Sequence, residues 1–281
     1  GLGALGLLVA DWLAAQGARY LVLTGRRGIT TAQQQEVIDR LTANGVTVQL
    51  AQVDVTDESA MRALFAQLAA SAFPLKGVFH TAGVLDDAIL LNQRWERFAP
   101  VLASKVTGAW LLHQLTQDLP LDFMIFFSSA AALLGSMGQG NYAAANAFLD
   151  GLAHYRQQQG LPALSINWGA WAEVGMAART GQSALAPGHL ITPALGMTTL
   201  AHLLADAGQV GVLSIDWTAL APSSYQPFLA NFMTPPAAAP SAQATLVATL
   251  TGLPANQRLA QLRAHVHQTV ATILGMSELP A

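Results

Sequence analysis

Residues 123–155 read FMIFFSSAAALLGSMGQGNYAAANAFLDGLAHY. The run from Phe123 to Phe127 is apolar without interruption and ends at Ser128 and Ser129. That is the pattern of a strand buried on both faces, opening into a loop. Further on, Tyr142 and Asn146 stand four apart in NYAAANAFLDGLAHY, so a helix there carries both on one face. The stretch is therefore a strand, a loop and a helix, with Ser129 and Tyr142 at its two turning points. Lys105 belongs to a separate, earlier helix. A hydroxyl, a phenol, an ammonium and an amide arriving from three elements can hold a carbonyl and give it a proton.

Outward from this unit, helical and strand-like segments alternate. Helices are expected at 4–15, 31–42, 58–68, through Lys105 to Leu115, and at 142–159 and 193–205. Strands are expected at 20–23, 47–52, 77–80, 123–127, 163–167 and 210–215. Such alternation means right-handed β-α-β units, hence an α/β fold with a Rossmann-like, doubly wound and mostly parallel sheet. A dinucleotide-binding unit needs a strand feeding its glycine turn, and Gly1 already lies inside that turn. The expectation is a fragment of a longer polypeptide whose sheet lacks its first, central strand.

The chain has 281 residues, 52% of them hydrophobic and 10% charged, with a formal net charge of −3. This suffices for one large α/β domain plus something small. A basic nucleic-acid-binding face is not indicated. The absence of cysteine excludes a disulfide scaffold, a Cys-ligated metal and a Cys nucleophile. Residues 123–149 contain no charge before Asp150, but polar groups interrupt them, so a buried strand, a loop and a helix start explain them better than a membrane span. Between Trp217 and Gln257 there is no charged residue, and MTPPAAAPSAQA (233–244) has a linker's composition. Helical periodicity resumes with Leu259, Leu262, Val266, Val270 and Ile273 on one face. The expected division is a catalytic domain over 1–230, a Pro/Ala-rich linker over 231–255, and a helix of another domain over 256–281.

GLGALG (1–6) runs straight into a helix. Gly1, Gly3 and Gly6 would let the backbone approach a pyrophosphate, whose charge the helix N-terminus favours. The next strand ends LTGRR, with Thr24 and then Arg26 where a ribose-binding acidic residue is usual. An arginine there suits a 2′-phosphate and favours NADPH over NADH. Asp54 and Val55 follow the second strand, placed to meet the adenine. Ala82 and Gly83 follow the third, small enough for a cofactor to lie against the backbone.

Tyr142 as a proton donor needs its phenol pKa drawn towards neutrality, and the Lys105 ammonium is the group to do it. Ser129 would hydrogen-bond the carbonyl oxygen, and Asn146 would fix Lys105 or an ordered water. His80 ends a strand, His113, His154, His202, His265 and His267 lie on helices, and His189 lies in a loop. Their spacing matches no metal site, so no metal is expected. Trp168 and Trp171 are core residues or pocket wall, and residues 174–191 have the composition of a mobile lid.

GLGALG, LVLTGRRG, VDVTD, FHTAGVLDDAIL, ASKVTGAWLLH, FFSSAAALLGSMGQGNYAAANAFLDGLA and SINWGAWAEVGMA, in this order, resemble the ketoreductase domain of modular type I polyketide synthases. These belong to the short-chain dehydrogenase/reductase superfamily. Most of that superfamily has lysine four residues after the tyrosine, where this chain has Asn146. The polyketide branch exchanges the two, which implies catalytic roles for Tyr142, Ser129, Lys105 and Asn146. Leu85, Asp86 and Asp87 resemble the LDD motif of B-type reductases, and the tryptophan that marks A-type domains is Leu134 here. The resemblance implies stereocontrol by these residues and a D-configured β-hydroxyl.

The last helix, RLAQLRAHVHQTVATILGM, resembles the first helix of an acyl carrier protein. The resemblance as a whole implies NADPH-dependent reduction of a β-ketoacyl thioester tethered to an acyl carrier protein. It also implies contact with other domains of a megasynthase, a cytoplasmic location, and neither nucleic acid nor membrane as partner. A fatty-acid-synthase type of reductase, and a domain that is structural or only epimerises, are the alternatives.

Overall fold

The structure, a computed structural model, describes residues 1–175, 190–215, 246 and 249–274, without the side chains of 267–274. The chain divides into two units, Gly1–Asp216 and Trp217–Ala281. In the first, the elements follow in the order α1 (Ala4–Ala15), β1 (Tyr20–Thr24), α2 (Ala32–Ala43), β2 (Thr47–Ala51), α3 (Glu58–Ala69) and β3 (Gly77–His80). A short 3-10 turn (Leu90–Asn92), α4 (Trp95–Leu102), a π-helical segment (Ala103–Thr107) and α5 (Gly108–Thr116) come next. They lead into β4 (Phe123–Ser129), α6 (Ala130–Leu134), α7 (Gly140–Gln158), β5 (Leu164–Trp168), α8 (Pro193–Leu203) and β6 (Gly208–Val212). The described part of the second unit contains helix α9 (Ala255–Leu274).

Among the described residues all strand pairings are parallel. One sheet has the order β1-β2 and the other β3-β4-β5-β6. Among the described residues strands β1 and β3 do not pair, so each is an edge of its sheet. Helix α1 packs on both sheets: Leu7 and Ala10 join Leu21, Leu23, Ile38 and Leu41 in one core, and Val9 joins Ile125 and Phe127 in another.

Strand β4 lies inside the larger sheet, and its apolar run is split between two faces. Met124 and Phe126 point into a core with Leu111, Leu112, Leu149 and Leu152 of α5 and α7. Ile125 and Phe127 point the other way, towards Ile166, Trp168, Met197 and Leu200. Two-sided burial explains why neither face alternates with polar residues.

The expected helices and strands are present within a few residues, and two junctions differ from expectation. Residues 95–116 are not one regular helix, because the π segment interrupts them around Lys105. Ser129 does not open into a loop: it is the last strand residue and the N-cap of α6, its Oγ accepting from the Ala131 amide at 3.2 Å. Most of the stretch expected to form a lid (176–189), with His189, and residues 231–245 of the expected linker lie outside the described residues.

Candidate active site

Four of the side chains singled out in the sequence meet at the C-terminal ends of β3, β4 and β5, where ligands bind in open parallel sheets. Ser129 ends β4, opposite Trp168 of β5. Tyr142 lies in the first turn of α7, and its amide is capped by Asn141 Oδ1 at 2.8 Å. Asn141 is fully buried, and its Nδ2 also donates to the Asp86 carbonyl at 2.8 Å and the Arg97 carbonyl at 3.2 Å. This residue, for which the sequence carried no signal, fixes where α7 begins and so where the phenol stands.

Lys105 rises from the π segment, is buried, and donates from Nζ to the Phe127 carbonyl at 3.0 Å. Its ammonium lies 5.7 Å from the centre of the Tyr142 ring. Burial pulls its pKa down to about 8, against the opposing pull of the Asp150 carboxylate. A π segment widens a helix by one residue per turn and is characteristic of functional positions. Here His80, at the end of β3, hydrogen-bonds through Nε2 to the Ser104 carbonyl at 3.1 Å, next to the lysine. Burial, reinforced by Lys105, pushes the His80 pKa down to about 3, so it is neutral and donates this bond as the Nε2–H tautomer.

Two expectations need correction. The Tyr142 phenol is raised above its ordinary pKa, not lowered, because burial outweighs the Asn146 and Ser129 hydrogen bonds that draw it down. Asn146 does not hold Lys105; its Nδ2 turns back along α7 to the Tyr142 carbonyl at 2.7 Å. Its Oδ1 is buried with no hydrogen-bond partner among the described residues.

The glycine turn fits a dinucleotide. A Cβ on Gly6 would lie 2.2 Å from the Gly1 carbonyl oxygen, and one on Gly1 would lie 2.7 Å from that of Thr24, so neither position admits a side chain. Gly3 differs: it is the N-cap of α1, and among the described residues no side chain caps it and none comes within 4 Å of where its Cβ would lie. The first amides of α1 are thus presented without a competing group, which suits a phosphate. Arg26 is exposed just beyond β1 and makes no ion pair among the described residues. Asp54 turns one carboxylate oxygen to the Thr56 amide and hydroxyl, at 3.0 and 2.8 Å. Val55 packs over Gly108, where a Cβ would sit 2.8 Å from Cγ1. Ala82 and Gly83 lie in the irregular stretch after β3.

Leu85, Asp86 and Asp87 form a loop stitched to the approach of Tyr142. Asp86 is ion-paired to Arg97. Asp87 accepts from Gln139 Nε2 at 2.9 Å, and the Ala88 amide donates to the Gly138 carbonyl at 2.8 Å. Trp168 and Trp171 are buried core residues with ring centres 4.9 Å apart, and Trp171 is backed by Gly196, where a Cβ would fall 2.1 Å from the indole.

Similarity to known proteins spans these residues. Polyketide synthase GfsB of Streptomyces halstedii is 39% identical over 99% of the chain, which spans only 5% of that protein. The phenolphthiocerol synthesis polyketide synthase type I Pks15/1 of Mycobacterium marinum is 45% identical over 66% of the chain and 9% of its own length. A solved structure of A-type ketoreductases from a modular polyketide synthase superposes with a TM-score of 0.74 at 39% identity, covering 88% of this chain and 51% of that one. The KR domain profile matches residues 1–173, a span that holds the glycine turn, Lys105, Ser129, Tyr142 and Asn146. The chain belongs to the KR, or ketoreductase, domain family.

Proposed function

We propose that the chain reduces a β-ketoacyl thioester, carried by an acyl carrier protein, to the β-hydroxyacyl thioester with NADPH during polyketide assembly. The observation that carries this reading is the convergence of the Tyr142 phenol, the Ser129 hydroxyl and the Asn146 amide beside the buried Lys105 ammonium. The glycine turn and Arg26 would hold NADPH, the arginine suiting its 2′-phosphate, and the cofactor would supply a hydride to the β-carbon. The Ser129 hydroxyl donates a hydrogen bond to the ketone oxygen, and Tyr142 delivers the proton to that oxygen. A phenol held above its ordinary pKa is protonated at neutral pH, the form a donor needs. Charge that develops on the phenol oxygen is opposed by the Lys105 ammonium, which stays within reach because the Phe127 carbonyl anchors it. Asn146, through its Oδ1, orients a water as the proton is replaced.

The D-configured hydroxyl follows from Leu85, Asp86 and Asp87 together with Leu134 in place of tryptophan, a set that favours B-type entry of the substrate although the similar solved structure is A-type. The reductase occupies residues 1–230, a linker 231–255, and helix α9 opens a carrier domain, with Leu259, Leu262 and Val266 exposed along one stripe. Oxidation of NADPH with a β-keto thioester, followed by the loss of the reduced nicotinamide's absorbance, tests the reaction. Chiral chromatography of the product tests its hand. Tyr142→Phe retaining full activity would refute the proton-donor role.

A further inference from the structure

Beneath the reacting groups runs a chain of buried polar residues that the reduction itself does not touch. Asp150 lies two turns beyond Tyr142 on α7 and is buried, with a buried carboxylate's high desolvation cost. Its Oδ1 accepts from the Ser165 hydroxyl at 2.6 Å and its Oδ2 from Asn167 Nδ2 at 2.9 Å. Asn167 is fully buried on β5 and reaches the end of β4 with the same amide nitrogen, to Ser128 Oγ at 3.0 Å and to the Ser129 carbonyl at 3.2 Å. Its Oδ1 accepts from Gln209 Nε2 at 3.0 Å, which settles the orientation of the amide. Ser128 completes the loop by donating to the Asn146 carbonyl at 3.3 Å. One carboxylate thus ties the ends of β4 and β5 to the helix that carries Tyr142 and Asn146.

No described cation forms an ion pair with Asp150. The buried Arg156, also on α7, is engaged elsewhere, by His113, Thr116 and the Pro162 carbonyl. The cation that feels Asp150 is Lys105. We infer that Asp150 is a positioning residue of the active site: through Asn167 it fixes the end of β4 that carries Ser129 and joins it to the helix of Tyr142 and Asn146. The charge of the same carboxylate favours the protonated form of the buried Lys105. This rests on the proposed roles of Ser129 and Lys105. The titratable groups that face Lys105 are His80 from β3 and Tyr142 and Asp150 from α7; of these Asp150 alone favours the charged lysine.

The chain has only two lysines, Lys76 and Lys105, and Lys76 is on the surface. Lysine-selective isotope labelling of the full chain therefore gives one buried and one exposed side-chain NMR signal to titrate. Asp150→Asn keeps an oxygen for Asn167 and can turn its NH2 to the Ser165 hydroxyl, so it removes charge with little change of shape. The expected result is a fall of about one unit in the Lys105 midpoint, with Lys76 unmoved. The alkaline decline of kcat should move to lower pH by the same amount at constant KM for NADPH. Asn167→Ala keeps the charge and cuts the tie: the Lys105 midpoint should stay, and kcat should drop about tenfold or more at every pH. A Lys105 midpoint unchanged in folded Asp150→Asn, or parental kcat in Asn167→Ala, overturns the inference. If Asp150→Asn does not fold, Asn167→Ala decides alone. A parent chain that reduces nothing refutes the proposed function instead, and the lysine titration still judges the countercharge.

Discussion

Lys105 Nζ is hydrogen-bonded to the Phe127 carbonyl at 3.0 Å, so the ammonium is tied to the strand that carries Ser129 while facing the Tyr142 ring. The anchor comes at a cost, because the folded chain holds this lysine at about 8 rather than its ordinary 10.5. Between those values the unfolded chain binds more protons than the folded one, so stability rises with pH across the window and the cost is full below it. Lys105→Met should therefore lower kcat by about two to four decades. Relative to the parent, its unfolding free energy should fall as the pH is raised from about 8 to about 10.5. Urea unfolding at several pH values, compared between the two proteins, measures this; parallel curves would contradict a buried titrating lysine.

His80 gives the opposite end of the pH range. Folded, its pKa is about 3; unfolded, it is 6.5, so protons bind the unfolded chain preferentially in between. Its contribution is complete above pH 6.5 and is lost as the pH falls towards 3. His80→Gln can still donate to the Ser104 carbonyl but does not titrate. It should flatten the acid side of the stability profile while keeping kcat within about threefold. His80→Leu, which leaves that carbonyl without its donor, should lower kcat as well by releasing the π segment under Lys105.

The open space at Gly3 predicts a separation of stability from cofactor binding. Its backbone is extended, with φ −75° and ψ 164°, so alanine fits without strain and changes stability by about 1 kcal/mol or less. A methyl group there would stand where a pyrophosphate must approach the amides of α1. Gly3→Ala should weaken NADPH binding about tenfold or more, read by fluorescence titration, with a nearly unchanged melting temperature. Gly6→Ala should instead destabilise the fold, since its Cβ would meet the backbone oxygen of Gly1.

How much of this was legible in the sequence follows from the range of the interactions. The apolar run 123–127 and the helical spacing of Tyr142 and Asn146 are local patterns, and both elements formed where those patterns placed them. The π segment was not legible, because the partners of ASKVT are distant in sequence: His80 bonds Ser104 from 24 residues away and Lys105 bonds Phe127 22 residues on. The same holds for Asn141, whose partners Asp86 and Arg97 are 55 and 44 residues distant. Asn146 could be placed at the site, but not aimed: spacing gives a face of the helix, whereas its bond back to the Tyr142 carbonyl depends on local competition for the amide. The direction of the Tyr142 shift was missed because a nearby ammonium is visible in a motif and burial is not.

The bond between Asp87 and Gln139 offers the sharpest test of stereocontrol. Gln139 is the residue before α7, and Tyr142 is in its first turn, so the side-chain bond at 2.9 Å links the 85–87 loop to the approach of the phenol, beside the backbone ties from Asn141 to the Asp86 carbonyl and from Ala88 to the Gly138 carbonyl. Asp86 is held separately by Arg97. If the loop guides the acyl chain into the site, cutting the Asp87 link should let it enter from either side while Tyr142 stays in place. Gln139→Ala and Asp87→Ala should then each erode the D preference by about tenfold, near 1.4 kcal/mol, with kcat changed less than the product ratio. The double variant should be no worse than either single one, because both remove the same interaction. Additive losses in chiral analysis would mean that the two side chains act on the substrate independently rather than through each other.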